Sequence, residues 1–165
     1  MKKCVVLVFW CLLALVVSPS QAADERNVLA GSPAIRDLVV GRQIEPAFSN
    51  TLAQAESGDV NAQVGLGNVF AEGLYGVPRN ADEAARWYQR AALAGNSVGQ
   101  YMLGSCYEQG KGAPKNLEQA ANWYRKSANQ GYVSAQAALG NSYLNGLGVE
   151  RDPLEAYKWL ALAAA

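Results

Sequence analysis

The chain has 165 residues, with 14 Lys and Arg against 14 Asp and Glu, a formal charge of zero and no histidine. Balanced charge gives no electrostatic footprint for a polyanion, which removes nucleic acid from the expected partners, and the missing imidazole removes Ser-His and Cys-His catalysis and histidine-ligated metal. Half of the residues are hydrophobic and 17% are charged, too apolar for a disordered chain, and the length suits one domain or a short array.

Met1-Lys2-Lys3 forms a short positive head before Cys4 to Val17, a run of 14 residues without charge. Ser18-Pro19-Ser20-Gln21-Ala22 breaks that run. The small Ser20 and Ala22 stand where a signal peptidase reads, which places a cut between Ala22 and Ala23. Fourteen residues fall short of the roughly 20 that cross a hydrocarbon core, so 1–22 reads as a signal peptide and no stable membrane span is expected after cleavage. Phe9-Trp10-Cys11 lacks the small residue that precedes a lipidated cysteine. Cleavage would leave 143 residues with a charge of −2 and one cysteine, Cys106, so no intramolecular disulfide could form. The expected address is the bacterial periplasm or the medium.

Residues 23–44 contain Gly31-Ser32-Pro33 and Gly41 with little periodicity, and a flexible leader is expected there. Over 45–58, Ala47, Leu52 and Ala55 give a weak helical stripe that Gly58 terminates. This segment reads as an N-terminal capping helix, with Asn50 where later helices carry Trp.

From residue 59 onward the chain repeats itself. Trp87, Trp123 and Trp159 are 36 residues apart. Leu66-Gly67, Leu103-Gly104 and Leu139-Gly140 recur, each followed three residues later by Phe70, Tyr107 or Tyr143. One unit carries an extra residue, Tyr75, because Gly73-Leu74-Tyr75-Gly76 stands where the others have Gly110-Lys111-Gly112 and Gly146-Leu147-Gly148. Apolar spacings of three and four put two amphipathic helices in each unit, over 60–72 and 81–93, 97–109 and 117–129, and 133–145 and 153–165. Asn80, Asn116 and Asp152 stand at the starts of the second helices with Glu83, Gln119 and Glu155 three residues on, as in a capping box. Gly95 and Gly131 suit the left-handed position that ends a helix. Gly67, Gly104 and Gly140 lie inside helices, where glycine costs about 1 kcal/mol relative to alanine, so a close helix approach is expected at each.

These residues resemble the Sel-one-like repeat (SLR), a relative of the tetratricopeptide repeat (TPR). The second unit carries the pattern most fully: Leu103-Gly104, Tyr107, Gly110-Lys111-Gly112, Asn116, Ala120, Trp123-Tyr124, Ala128 and Gly131. Departures are Gly99 and Ser127 in place of alanine, Leu160 in place of tyrosine, and no terminal glycine in the third unit. The resemblance implies an all-α, right-handed α-solenoid of three helix-turn-helix repeats (59–95, 96–131 and 132–165) behind an N-terminal cap. It also implies an adaptor without enzyme activity, cofactor or metal, which binds a protein or peptide. Relatives include periplasmic and secreted bacterial proteins. If the binding surface follows the TPR arrangement, the first helices line a concave face. That selects Asn61, Val64, Asn68 and Glu72 in the first unit, Tyr101, Ser105, Glu108 and Gln109 in the second, and Ser134, Asn141, Leu144 and Asn145 in the third, with Tyr101 as anchor.

Other readings of single residues compete with these. The three Trp side chains, with Tyr88 and Tyr124, read as core rather than as a stacking platform. Cys106 reads as a filler whose thiol could pair only with another chain. Glu72 and Glu108 could form an acid-base pair in a cell-wall hydrolase or simply a solvated lip, and, separately, no Ser lies three residues before a Lys, which removes the β-lactamase signature. An inhibitor or immunity protein of a secreted enzyme is a further alternative. The apolar end Trp159-Leu160-Ala161-Leu162 leaves three explanations open: a longer parent chain, self-association, or a docked partner helix.

Overall fold

The computed structural model describes residues 46–165, and the signal segment 1–22, the leader 23–44 and Glu45 lie outside the described residues. The described chain is all-α, with seven helices: α1 Pro46–Glu56, α2 Val60–Glu72, α3 Ala81–Leu93, α4 Ser97–Gln109, α5 Leu117–Asn129, α6 Val133–Asn145 and α7 Pro153–Ala163. Helices α2 to α6 begin and end where the apolar spacing places them, while α7 stops at Ala163 rather than 165. Each helix packs chiefly on its neighbours in sequence, the one-dimensional order of an α-solenoid.

Short polar side chains set the starts of α2, α3, α4, α5 and α7, whereas Tyr132 before α6 makes no side-chain cap bond. Asp59 Oδ1 accepts from the N–H groups of Asn61 and Ala62, and Asn96 Oδ1 accepts from Gly99. Asn80, Asn116 and Asp152 do the same for α3, α5 and α7, accepting from the N–H of Glu83, Gln119 and Glu155 at 3.1, 2.9 and 3.1 Å. The capping box expected there is only half formed. The cap N–H groups donate instead to the carbonyls of Phe70, Tyr107 and Tyr143, at 2.8, 2.9 and 3.0 Å. Those carbonyls lie in the last turn of the first helices, where intrahelical donors run out, so one bond satisfies two orphan groups and ties the pair together. Glu83, left without that role, is buried and pairs with Arg86.

The interior glycines mark where helices meet. A Cβ on Gly104 would lie 2.7 Å from Tyr124 Cδ1, and one on Gly140 would lie 2.7 Å from Leu160 Cγ. The Tyr88 ring covers Gly67 in the same way. Between repeats a second glycine matters: Gly112, in the left-handed region at φ +72°, lies against the Ala81 carbonyl at the start of the preceding α3. Gly148 lies likewise against Leu117. Gly76, the equivalent in the first repeat, has open space around it, and there the extra Tyr75 is accommodated at φ +54°.

A glutamine stitches each first helix to the helix before it. Gln63, Gln100 and Gln136 are buried, and each donates Nε2 to the carbonyl eight residues earlier, on Ala55, Ala92 and Ala128. At the N-terminal end Phe48 is fully buried and meets Phe70 edge-on with ring centroids 6.2 Å apart. Phe48, not the exposed Ala47, thus anchors the capping helix. Of the three tryptophans Trp87 is fully buried in the core, and Trp159 packs against the core cluster around Tyr124 and Leu139. Trp123 and Trp159 are half-buried, and the ammonium of Lys126 lies 3.9 Å from the Trp123 ring centroid.

Candidate functional site

The first helices α2, α4 and α6 present the selected residues at three depths. Asn61, Glu72, Gln109, Ser134, Asn141, Leu144 and Asn145 are exposed. Asn68, Ser105 and Glu108 are half-buried, and each accepts one internal hydrogen bond. Val64 and Tyr101 depart from expectation. These two occupy the same repeat position, and Val64 is buried with 9% of its surface exposed. The Tyr101 ring packs between Tyr124 and Tyr132, with centroids 5.6 and 5.3 Å away. The Tyr101 ring therefore packs where the second repeat meets the third. TPR-based placement put this shared position on the surface because it flanks the Leu-Gly pair, but the turn of the helix carries it inward.

Four selected residues, Asn68, Glu72, Ser105 and Gln109, come together around one cleft of about 260 Å³ between the first two repeats. Ala71, Ala81, Ala84, Tyr88, Met102, Cys106 and Lys111 complete its lining. The Tyr88 hydroxyl donates to Asn68 Oδ1 at 2.7 Å. Burial above all, with Cys106 and Glu72 adding to it, holds this phenol well above its ordinary pKa, so it stays a neutral donor. Burial also pushes the Cys106 thiol up, which leaves it a weak nucleophile. Glu72 meets Arg79 at 3.4 Å, and the Arg79 Nε–H also donates to the Glu72 carbonyl.

The second repeat is wired differently. Tyr124, the counterpart of Tyr88, donates its hydroxyl to Glu108 Oε2 at 2.8 Å. Burial, followed by this bond, holds the Tyr124 phenol neutral. The counterpart of Glu108 in the first repeat is Ala71. Tyr88, Met102, Cys106 and Lys111 were not among the selected residues, and comparing Ala71 with Glu108 and Leu144 is the signal that could have found this cleft. No group of three or more potential metal ligands occurs among the described residues, and no described helix is long and apolar enough to cross a membrane. Away from the cleft, Leu154, Tyr157 and Leu162 on α7 are 64%, 71% and 54% exposed.

The Sel1 repeat pattern matches residues 60–96, 97–132 and 133–165. Among solved structures, the chain is similar to a Sel1 repeat protein from Oxalobacter formigenes, at 34% identity and a TM-score of 0.69, over 73% of this chain and 91% of that one. It is also similar to a protective antigen present in uropathogenic Escherichia coli strains displaying an SLR fold, at 29% identity and a TM-score of 0.51. That match covers 88% of this chain and 39% of the antigen. No curated protein matches the sequence.

Proposed function

The chain belongs to the Sel1 repeat family, and from that premise we propose that it is an exported scaffold, in the bacterial periplasm or outside the cell, that holds a protein or peptide on its first-helix face. Sel1 repeats commonly serve as protein–protein interaction scaffolds and are generally non-catalytic. The observation that carries the reading is the cleft between the first two repeats, rimmed by the amides and hydroxyl of Asn68, Ser105 and Gln109. The exposed Asn141 and Asn145 continue that polar face on the third repeat. Amide side chains can donate and accept at once, which suits the alternating N–H and C=O groups of a bound backbone. Export rests on the basic head, the apolar run and the small-residue cut at Ala22-Ala23. A hydrolase is the weaker reading, because Glu72 is engaged by Arg79 and Glu108 by the Tyr124 hydroxyl, so each carboxylate already serves a structural bond.

Expression of the full chain with a C-terminal tag tests both parts. The periplasmic product should have the mass of a chain starting at Ala23, and an uncleaved cytoplasmic product would refute export. Its captured partner should be lost from a Gln109→Ala, Asn141→Ala double variant that keeps its helix content. A partner retained by that variant would refute the face. The exposed Leu154, Tyr157 and Leu162 favour a second surface, for self-association through α7. Light scattering should then show a dimer that Tyr157→Ser dissociates, and a monomer at all concentrations would remove this reading.

A further inference from the structure

The cleft between the first two repeats is lined by a small residue, Ala71, at a position where the other repeats carry larger ones. At the position of Ala71 the second repeat has Glu108 and the third has Leu144. The Glu108 carboxylate reaches over to the hydroxyl of its repeat's tyrosine. Ala71 offers only a methyl there, the Tyr88 hydroxyl donates to Asn68, and both residues line the cleft. Its apolar lining is formed by Ala71, Ala84 and Met102 and by a tyrosine whose O–H is already spent. Its volume of about 260 Å³ lies below the roughly 300–1,000 Å³ of sites for drug-sized ligands, which points to a single side chain and its adjoining backbone.

The rim adds a charge requirement. The Glu72 carboxylate on this rim is compensated by Arg79. Lys111 lines the same cleft, and its ammonium has no ion-pair partner among the described residues. We propose that the cleft is a peptide-recognition site that takes a leucine- or methionine-sized side chain followed by a carboxylate placed against Lys111. The carboxylate is that of the peptide's own C-terminus, because the volume fits one side chain with its adjoining backbone, and a side-chain carboxylate is the outcome the third probe below would reveal. This proposal rests on the first-helix face being the binding face.

Fluorescent synthetic peptides test it by anisotropy with the signal-processed chain. The probes are Gly-Ser-Gly-Ser-Leu with a free carboxylate, the same peptide as its amide, Gly-Ser-Gly-Leu-Asp-Gly as its amide, and the free-carboxylate peptide with Leu replaced by Ser. The leucine peptide with a carboxylate should bind at least tenfold more tightly than its amide and its Ser counterpart. Comparing the first and third peptides tells a terminal from a side-chain carboxylate. Ala71→Glu should abolish binding, and because Glu and Leu already occupy this position in the other repeats, Ala71→Leu serves as a second closure that the fold accommodates. Lys111→Gln should cost about tenfold on the carboxylate peptides and leave the amide unchanged. Bound peptide should also protect the Cys106 thiol from alkylation. If no leucine peptide binds, or if binding survives Ala71→Glu and Ala71→Leu, the cleft is not the site. Survival in both closures with loss on Asn141→Ala would keep the first-helix face and reject only the cleft. Survival in all three variants would reject both.

Discussion

Gly104 shows at the residue scale how a local cost is offset by packing. Alanine there would gain up to about 1 kcal/mol of helix propensity, but its methyl would lie 2.7 Å from the Tyr124 ring and 3.2 Å from the Ala120 carbonyl. Overpacking of this kind costs about 1–3 kcal/mol, so Gly104→Ala is expected to destabilise the chain by about 1–2 kcal/mol in urea unfolding; stabilisation would contradict the packing account. Tyr75 argues the other way. It is exposed, has no repeat counterpart and sits at φ +54°, so Tyr75→Gly should raise stability by about 1 kcal/mol in the same assay. Tyr88 and Tyr124 carry phenols raised by burial above their ordinary value of 10.0. A raised acid favours its neutral form in the fold, so this contribution is complete below pH 10 and is lost as pH climbs above it. Alkaline unfolding should therefore steepen above pH 10, and Tyr124→Phe should flatten that limb. The interior glycines were legible because glycine in a helix needs a reason. The role of Gly112 was not, since it depends on how closely one repeat's turn meets the previous repeat's α3.

The helices themselves were legible because three copies of one pattern report their own boundaries, and the observed limits of α2 to α6 agree with the spacing. Their connections were less so. The cap residues were read correctly, but a capping box was inferred where the N–H groups of Asn80, Asn116 and Asp152 reach the preceding helix instead. Spacing within a helix cannot report a bond that leaves it. The glutamine stitch escaped notice for the same reason, and it offers a test at this scale. Gln100 Oε1 accepts from Gln130 Nε2 at 2.8 Å, whereas Gln63 Oε1 is buried without a partner and Ala94 stands where Gln130 would be. Ala94→Gln should supply the missing donor and raise stability by about 1 kcal/mol, and an unchanged unfolding midpoint would show that the oxygen is satisfied otherwise. On the binding side, sequence placed the exposed amides of α4 and α6 correctly as surface, and it placed Val64 and Tyr101 there wrongly. Val64 and Tyr101 share one repeat position that packs inward, which its place beside Leu-Gly does not by itself reveal.

At the scale of the whole molecule, stability passes between neighbours. α1 closes the apolar end of the first repeat through Phe48 and Phe70, so Phe48→Ala is expected to cost about 3–5 kcal/mol, felt in hydrogen exchange most strongly in α1 and α2 and least in α6 and α7. Uniform loss of protection would contradict neighbour-only coupling. The array yields two distinct surfaces: a polar first-helix face opened by the cleft at Ala71, and an apolar α7 face at Leu154 and Tyr157. A partner that engages the scaffold as proposed must shield the first of these. Hydrogen exchange of the chain with and without its captured partner measures this directly. The account predicts slowed exchange in α2, α4 and the 110–112 turn, with the exposed faces of α3 and α5 unchanged. Slowed exchange confined to α7, or to α3 and α5, would contradict it.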